Sequence, residues 1–193
     1  MAKTASPYGL RLAKTLGEGR TNHGFNQYPI ASAYATDLKT GDLVSLTAGS
    51  GTLQKETGTA TATPVGVFIG CAYTDAAMGY LNKQMWKGGT VAADAMGYVI
   101  DNPQQVFQIQ ASATLSQNAV GTNAAIVQGA GNATLGISGV SLNAATLAAT
   151  GTLPLRIVGL VNSPGFSTPG DAFTDVLVRI NTHFNATTTG DAP

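Results

Sequence analysis

Charge is what this chain has least of. Lysine, arginine, aspartate and glutamate together make up 10% of its 193 residues, against roughly a quarter in an average soluble domain. From Asn102 to Leu155 there is no charged residue and no histidine, and the stretch is mostly Ala, Gly, Thr, Ser, Asn and Gln. A free-standing soluble protein keeps itself dispersed with surface charge. A long polar but uncharged stretch therefore points to a region lying against other copies or another protein. Ten basic and ten acidic residues cancel, so the chain as a whole offers no basic field to draw nucleic acid, and nucleic-acid binding is disfavoured as its main task.

Cysteine is nearly absent too. Cys71 stands alone, which excludes an intramolecular disulfide framework and a cysteine-rich zinc site. Its neighbours, Val67-Phe68-Ile69-Gly70 before it and Ala72-Tyr73 after it, mark it as a small buried hydrophobe rather than a nucleophile. The two histidines, His23 and His183, lie far apart with no acidic residue close in sequence, so neither a catalytic constellation nor a metal cluster is expected. The acidic pairs Asp37/Asp42 and Asp171/Asp175 flank strands, where aspartate serves turns and caps. Gly17-Glu18-Gly19-Arg20 and Gly129-Ala130-Gly131-Asn132 lack the Lys-Ser/Thr ending of a phosphate loop and the strand-to-helix setting of a dinucleotide site. No enzyme activity and no cofactor are expected. No apolar run approaches the roughly 18 residues of a membrane span, and the N-terminus lacks an apolar signal core, so the expectation is a cytosolic product with no membrane partner.

The hydrophobic share, 44%, is ordinary, and a chain of this length buries one good core. Residues 1–29 differ from the rest. Lys3, Arg11, Lys14 and Arg20 face only Glu18, and glycines interrupt any helical period, which predicts an extended arm with Tyr8, Leu10, Leu12, Leu16, Phe25 and Tyr28 as anchors. Deleting 1–28 is expected to leave the domain folded. Residues 30–185 read as a β-rich domain and 186–193 as a flexible tail. Leu43-Val44-Ser45-Leu46 and Val65 to Gly70 are short apolar runs closed by Gly or Pro, and Glu56 to Thr63 is a Thr-rich loop.

Gly97 to Ile100 and Gln105 to Ala111, joined by Asp101-Asn102-Pro103-Gln104, read as a hairpin. Gln108 and Gln110 would line a neutral outer face open to pairing with a neighbour. Leu153 to Val161 and Asp175 to Asn181 are long and almost continuously apolar, which places them at the centre of a sheet. Ser116 to Gly121 and Asn143 to Ala149 predict single capped turns of helix. Gly129, Gly131 and Gly136 punctuate a loop that is either a flexible linker or an interface loop. The fold class is mainly β, a compact β-sandwich or barrel-like domain with an extended N-terminal arm and few short helices. Trp86, before Gly88-Gly89, reads as a rim or interface anchor, with a sugar-stacking platform as the competing role.

Pro7-Tyr8-Gly9-Leu10-Arg11, Tyr28-Pro29-Ile30-Ala31, Gly41-Asp42-Leu43-Val44, Pro64 to Gly70 and Leu153 to Leu160 occur in this order. In this the chain resembles a family of small tailed-bacteriophage virion proteins, the head decoration or capsid cement proteins. The resemblance spans nearly the whole chain through structural motifs, and it transfers no catalytic residue. It implies a β-rich homotrimer on the capsid exterior, made in the host cytoplasm, with the major capsid protein and sister copies as partners. On that footing Tyr8, Leu10 and Phe25 would anchor the arm, Arg11, Lys14 and Arg20 would meet acidic shell surface, and Trp86 would join the interface. A tail-tube or head-completion protein, or a carbohydrate-binding virion module using Trp86, are the alternatives.

Overall fold

The computed structural model describes residues 4–16 and 24–186. Lys3, Glu18, Arg20, His23 and the tail from 187 lie outside the described residues. The strands are β1 (Arg11–Thr15), β2 (Asn26–Pro29), β3 (Leu38–Lys39), β4 (Leu43–Leu46), β5 (Leu53–Lys55), β6 (Gly66–Asp75), β7 (Gly79–Lys83) and β8 (Met85–Trp86). They continue with β9 (Met96–Ile100), β10 (Gln105–Gln110), β11 (Asn123–Ala124), β12 (Ile126–Val127), β13 (Ser141–Leu142), β14 (Leu155–Leu160) and β15 (Asp175–Ile180). Strand makes up 41% of the described residues against 5% helix, and the sheets are antiparallel with no closed barrel, so the fold is mainly β and compatible with a sandwich.

One sheet runs β1-β10-β15-β14-β11, and the other runs β2-β9-β6-β4-β5 with β7 added along the far half of β6. β15 is central and β14 lies beside it, as their continuous apolar runs predict. The nearly unbroken apolar pairs of the second sheet have a physical reason. Leu43, Val67 and Ile100 point into the core shared with the first sheet, while Val44, Phe68 and Val99 point into a second core with Leu38, Tyr73 and Trp86. A strand buried on both faces has no use for polar alternation. β3 and β8 close that second core, pairing Leu38 with Trp86.

Two expectations need correcting. β9 and β10 are strands where the pattern places them, but they do not form a hairpin. β9 pairs with β2 and β6, and β10 pairs with β1 and β15. Residues 101–104 are thus a corner carrying the chain from one sheet to the other. A turn signal fixes where a strand ends and is silent on which sheet the next one joins. The N-terminal segment, where described, is not a free arm. β1 is an edge strand of the first sheet, Leu10 is 2% exposed in the core, and β2 pairs with β9 along its length. Removing 1–28 would strip two strands and a core residue.

The short helical turns fall where expected, at Gln117–Ala119 and Ala144–Thr146; Asn143 caps the second by accepting from Ala145 N, while Ser116 makes no side-chain cap for the first. A third turn, Phe184–Ala186, follows His183. His183 is 1% exposed. Its Nδ1 accepts from Asn185 N at 3.1 Å, which puts the ring proton on Nε2, an atom with no hydrogen-bond partner among the described residues. Burial pulls the pKa of His183 down, with Asp101 offsetting part of the effect. The unfolded chain therefore takes up this proton first as pH falls. The contribution of neutral His183 is fully present above its ordinary value near 6.5 and is lost as pH drops toward the lower folded value. The expected result is a melting temperature that declines between pH 7 and 5, with a flatter profile in His183→Gln. Equal slopes in the two proteins would remove His183 from the explanation.

Candidate interaction face

The glutamines of β10 hold the N-terminal segment in place. Gln110 Oε1 accepts from Ser6 N at 2.7 Å, and Gln108 Nε2 donates to the Tyr8 hydroxyl at 3.0 Å. Gln105 Nε2 donates to Lys14 O at 2.5 Å while its Oε1 accepts from Thr15 Oγ1 at 3.2 Å. The neutral side chains expected to wait for a neighbouring molecule, Gln108 and Gln110, are thus used by the chain's own N-terminal segment. Gly9 makes the entry possible. Its φ is +74°, and a Cβ there would lie 2.5 Å from Ser138 Cβ, so neither the backbone nor the space admits another residue.

This path leaves Arg11 exposed, with its guanidinium carbon 4.2 Å from the centroid of the Tyr8 ring, a stacked cation–π arrangement. Burial, and then the carboxylate of Asp175, push the Tyr8 hydroxyl well above the usual phenol range, so Tyr8 serves as a neutral hydrogen-bonding group. Two clefts flank the segment and share Ser6, Tyr8 and Arg11. One of about 410 Å³ is walled by the Gly129–Asn132 backbone and Leu135. The other, of about 300 Å³, is walled by Gln110, Asp175 and Phe166. Leu135 and Phe166 are 58% and 56% exposed, so each cleft has an apolar residue standing at its rim. A guanidinium, a phenol, amides and two apolar knobs are the equipment of recognition.

The sequence-predicted contact residues divide accordingly. Tyr8, Arg11 and Lys14 lie together on this face. Phe25 is half exposed on the other sheet, its ring centroid 5.1 Å from that of Tyr98, near a hairpin where Met78 and Tyr80 are also exposed. Leu10 and Trp86 are corrections, since both are buried inside the domain and present no side chain to a partner. Trp86 has no exposed surface, so the sugar-platform role loses its residue. Phe166 and Leu135 were missed because a single apolar residue among Gly, Pro and Thr carries no periodic signal. Cys71 is buried, its thiol pushed up to about 11 by burial, as its apolar context predicts. Among the described residues no group of three His, Cys, Asp or Glu could hold a metal ion.

The uncharged stretch also divides. Phe107, Ile109, Ala111, Ala124, Ile126, Val140 and Leu142 are core, while residues 112–118, 130–135 and 145–152 carry most of its exposed positions. The two loops adjoin, since Ser112 Oγ accepts from Ala144 N at 3.1 Å. From that contact they run apart, Leu115 N donating to Thr174 Oγ1 just before β15 and Gly151 O accepting from Asn181 Nδ2 just after it. Gly129, Gly131 and Gly139 pack against one another with no room for a Cβ, so the glycine loop is a tight fold rather than a slack linker. Compared with known proteins, the chain matches no family model, no curated protein and no solved structure.

Proposed function

We propose that this chain is a virion structural protein that seats on the outside of a tailed-phage capsid and stabilises it as a decoration protein, acting as a trimer. The observation that carries this reading is the uncharged exposed surface of the loops 112–118 and 145–152. A surface of Ser, Ala, Thr, Gln and Asn with no charge resists neither a sister copy nor a shell subunit, and it forgoes the charge that keeps a monomer dispersed. The motifs behind the family resemblance fall on the framework: the N-terminal segment, the end of β2, β4, β6 and β14. A rigid β domain that contacts several shell subunits at once adds interface and avidity to a capsid under internal pressure without altering the shell's own fold.

Light scattering on the purified chain and microscopy of particles are the tests. The expected results are a trimer in solution and density capping shell subunits; density in a tail tube would sink the reading. Ala145, exposed on the second of these loops, gives the matching variant. Ala145→Lys is expected to leave the unfolding free energy within about 0.5 kcal/mol of wild type, as surface changes do, while shifting the protein toward monomer. A trimer that tolerates this lysine and others at Gln117 and Thr150 would show that the loops are merely uncharged surface.

A further inference from the structure

The fold separates charges that the sequence intermingles. In the first sheet, Leu155, Ile157, Val178 and Ile180 point into the core, so the residues that alternate with them point outward. Register then aligns a row across four strands. Lys14 of β1 faces Val106 of β10, Val106 faces Arg179 of β15, and Arg179 faces Arg156 of β14. At the usual strand spacing the row spans about 14 Å. Arg11, opposite Gln108, lies in a neighbouring row on the same face. These four cations come from opposite ends of the chain, and Asp175, fully buried, is the only acidic residue on these strands.

The arrangement is costly within the molecule. Arg156 and Arg179 are direct cross-strand partners, and like charges so placed repel. The ion pair Lys55–Asp42 lies elsewhere in the fold. Arg156, Lys14 and Arg11 are exposed and Arg179 is half-buried. Between them the face carries Gln108, Leu177, Val158 and Gly159, neutral amide and aliphatic surface, with Phe166 at the neighbouring cleft.

We infer that this sheet face, built on Lys14, Arg179, Arg156 and Arg11, is the docking face for a carboxylate-rich protein surface. Given the proposed function, that surface belongs to the shell subunit. Charge complementarity selects an acidic partner, and the mixture of arginine, aromatic and aliphatic groups selects protein over nucleic acid. A nucleic-acid face neutralising a phosphate track draws on six to ten cations, and here there are four in a neutral chain. The uncharged loops are then left for sister copies, so the two contacts use different surfaces.

The test takes the full chain, a charge-reversed R156E/R179E variant and a K83E/K87E control, whose exposed lysines lie away from this face. Three probes are used: shells of the encoding virus stripped of this protein, soluble poly-L-glutamate, and duplex DNA at matched salt. The expected result is at least a tenfold loss of shell affinity in R156E/R179E with less than threefold change in the control; wild-type affinity in R156E/R179E overturns the face. Failure of the wild-type chain to bind shells counts against the functional reading, and poly-L-glutamate then decides. Binding lost in R156E/R179E supports the face, and equal binding overturns it. Tighter binding to DNA than to poly-L-glutamate overturns the choice of partner. Should the charge-reversed protein fail to fold by circular dichroism, R156Q/R179Q carries the same criteria.

Discussion

Asp42→Ala is expected to lower the unfolding free energy by about 3–5 kcal/mol, the cost of removing one partner from a buried ion pair. Asp42 has no exposed surface. Its Oδ2 accepts from Lys39 N at 2.9 Å and from Lys55 Nζ at 2.9 Å, and its Oδ1 accepts from Ser138 Oγ at 2.6 Å. One carboxylate thus closes the β3–β4 turn, neutralises a lysine of β5 and ties down the far end of the glycine loop. Alanine leaves all three donors without an acceptor. Lys55 retains 15% of its side-chain exposure, so it reaches some water, which sets the lower end of the range. Asp42→Asn keeps an acceptor and loses the charge, so it should fall between wild type and alanine. Urea unfolding measures both, and a loss below about 1 kcal/mol for alanine would mean that the site relaxes and the network contributes little.

The second large effect belongs to Trp86. Trp86→Ala should cost about 3–5 kcal/mol, as for other large aromatics removed from a packed core. The indole is fully buried, its Nε1–H donates to Tyr34 O at 3.0 Å, and its ring meets the edge of Tyr73 at 5.6 Å and 76°. Trp86→Phe fills most of the space and removes one of the two hydrogen bonds to the Tyr34 carbonyl, which keeps the one from Gly89 N at 2.9 Å, so about 1 kcal/mol is expected there. Circular dichroism in urea measures both variants, and because Trp86 is the only tryptophan, the fluorescence of the wild-type protein reports its burial. Native emission should be that of a buried indole and should move to the red on unfolding. Emission characteristic of a wet indole in the native protein would contradict the burial described.

What the sequence reveals and what it conceals follow a physical line. β4, β14 and β15 are legible because each is a short apolar run bounded by turn residues, and Cys71 is legible from its neighbours. The partners of β9 and β10 are not, because pairing depends on strands distant in the chain. Trp86 misleads because a tryptophan before Gly-Gly looks the same whether it roofs a core or faces a partner. Arg156 and Arg179 show the limit most clearly. Summed over the chain they vanish into a net charge of zero, and only register sets them side by side. Tyr8, Arg11 and Lys14 were found through the charge of the N-terminal segment, but the clefts beside them depend on Phe166 and Leu135, which no local pattern marks.

The position of β15 governs when this molecule can fold. It lies between β10 and β14 and supplies the middle of the first sheet, yet it is the last of the described strands to be translated. At about 5–20 residues per second, seconds pass between the emergence of β10 and that of its partner. Throughout that interval Val106, Phe107 and Ile109 wait beside an unfilled slot, and β1, whose seat is β10, waits with them. A ribosome stalled before codon 175 would hold a nascent chain with exposed strand edges, a substrate for chaperones rather than a half-built domain.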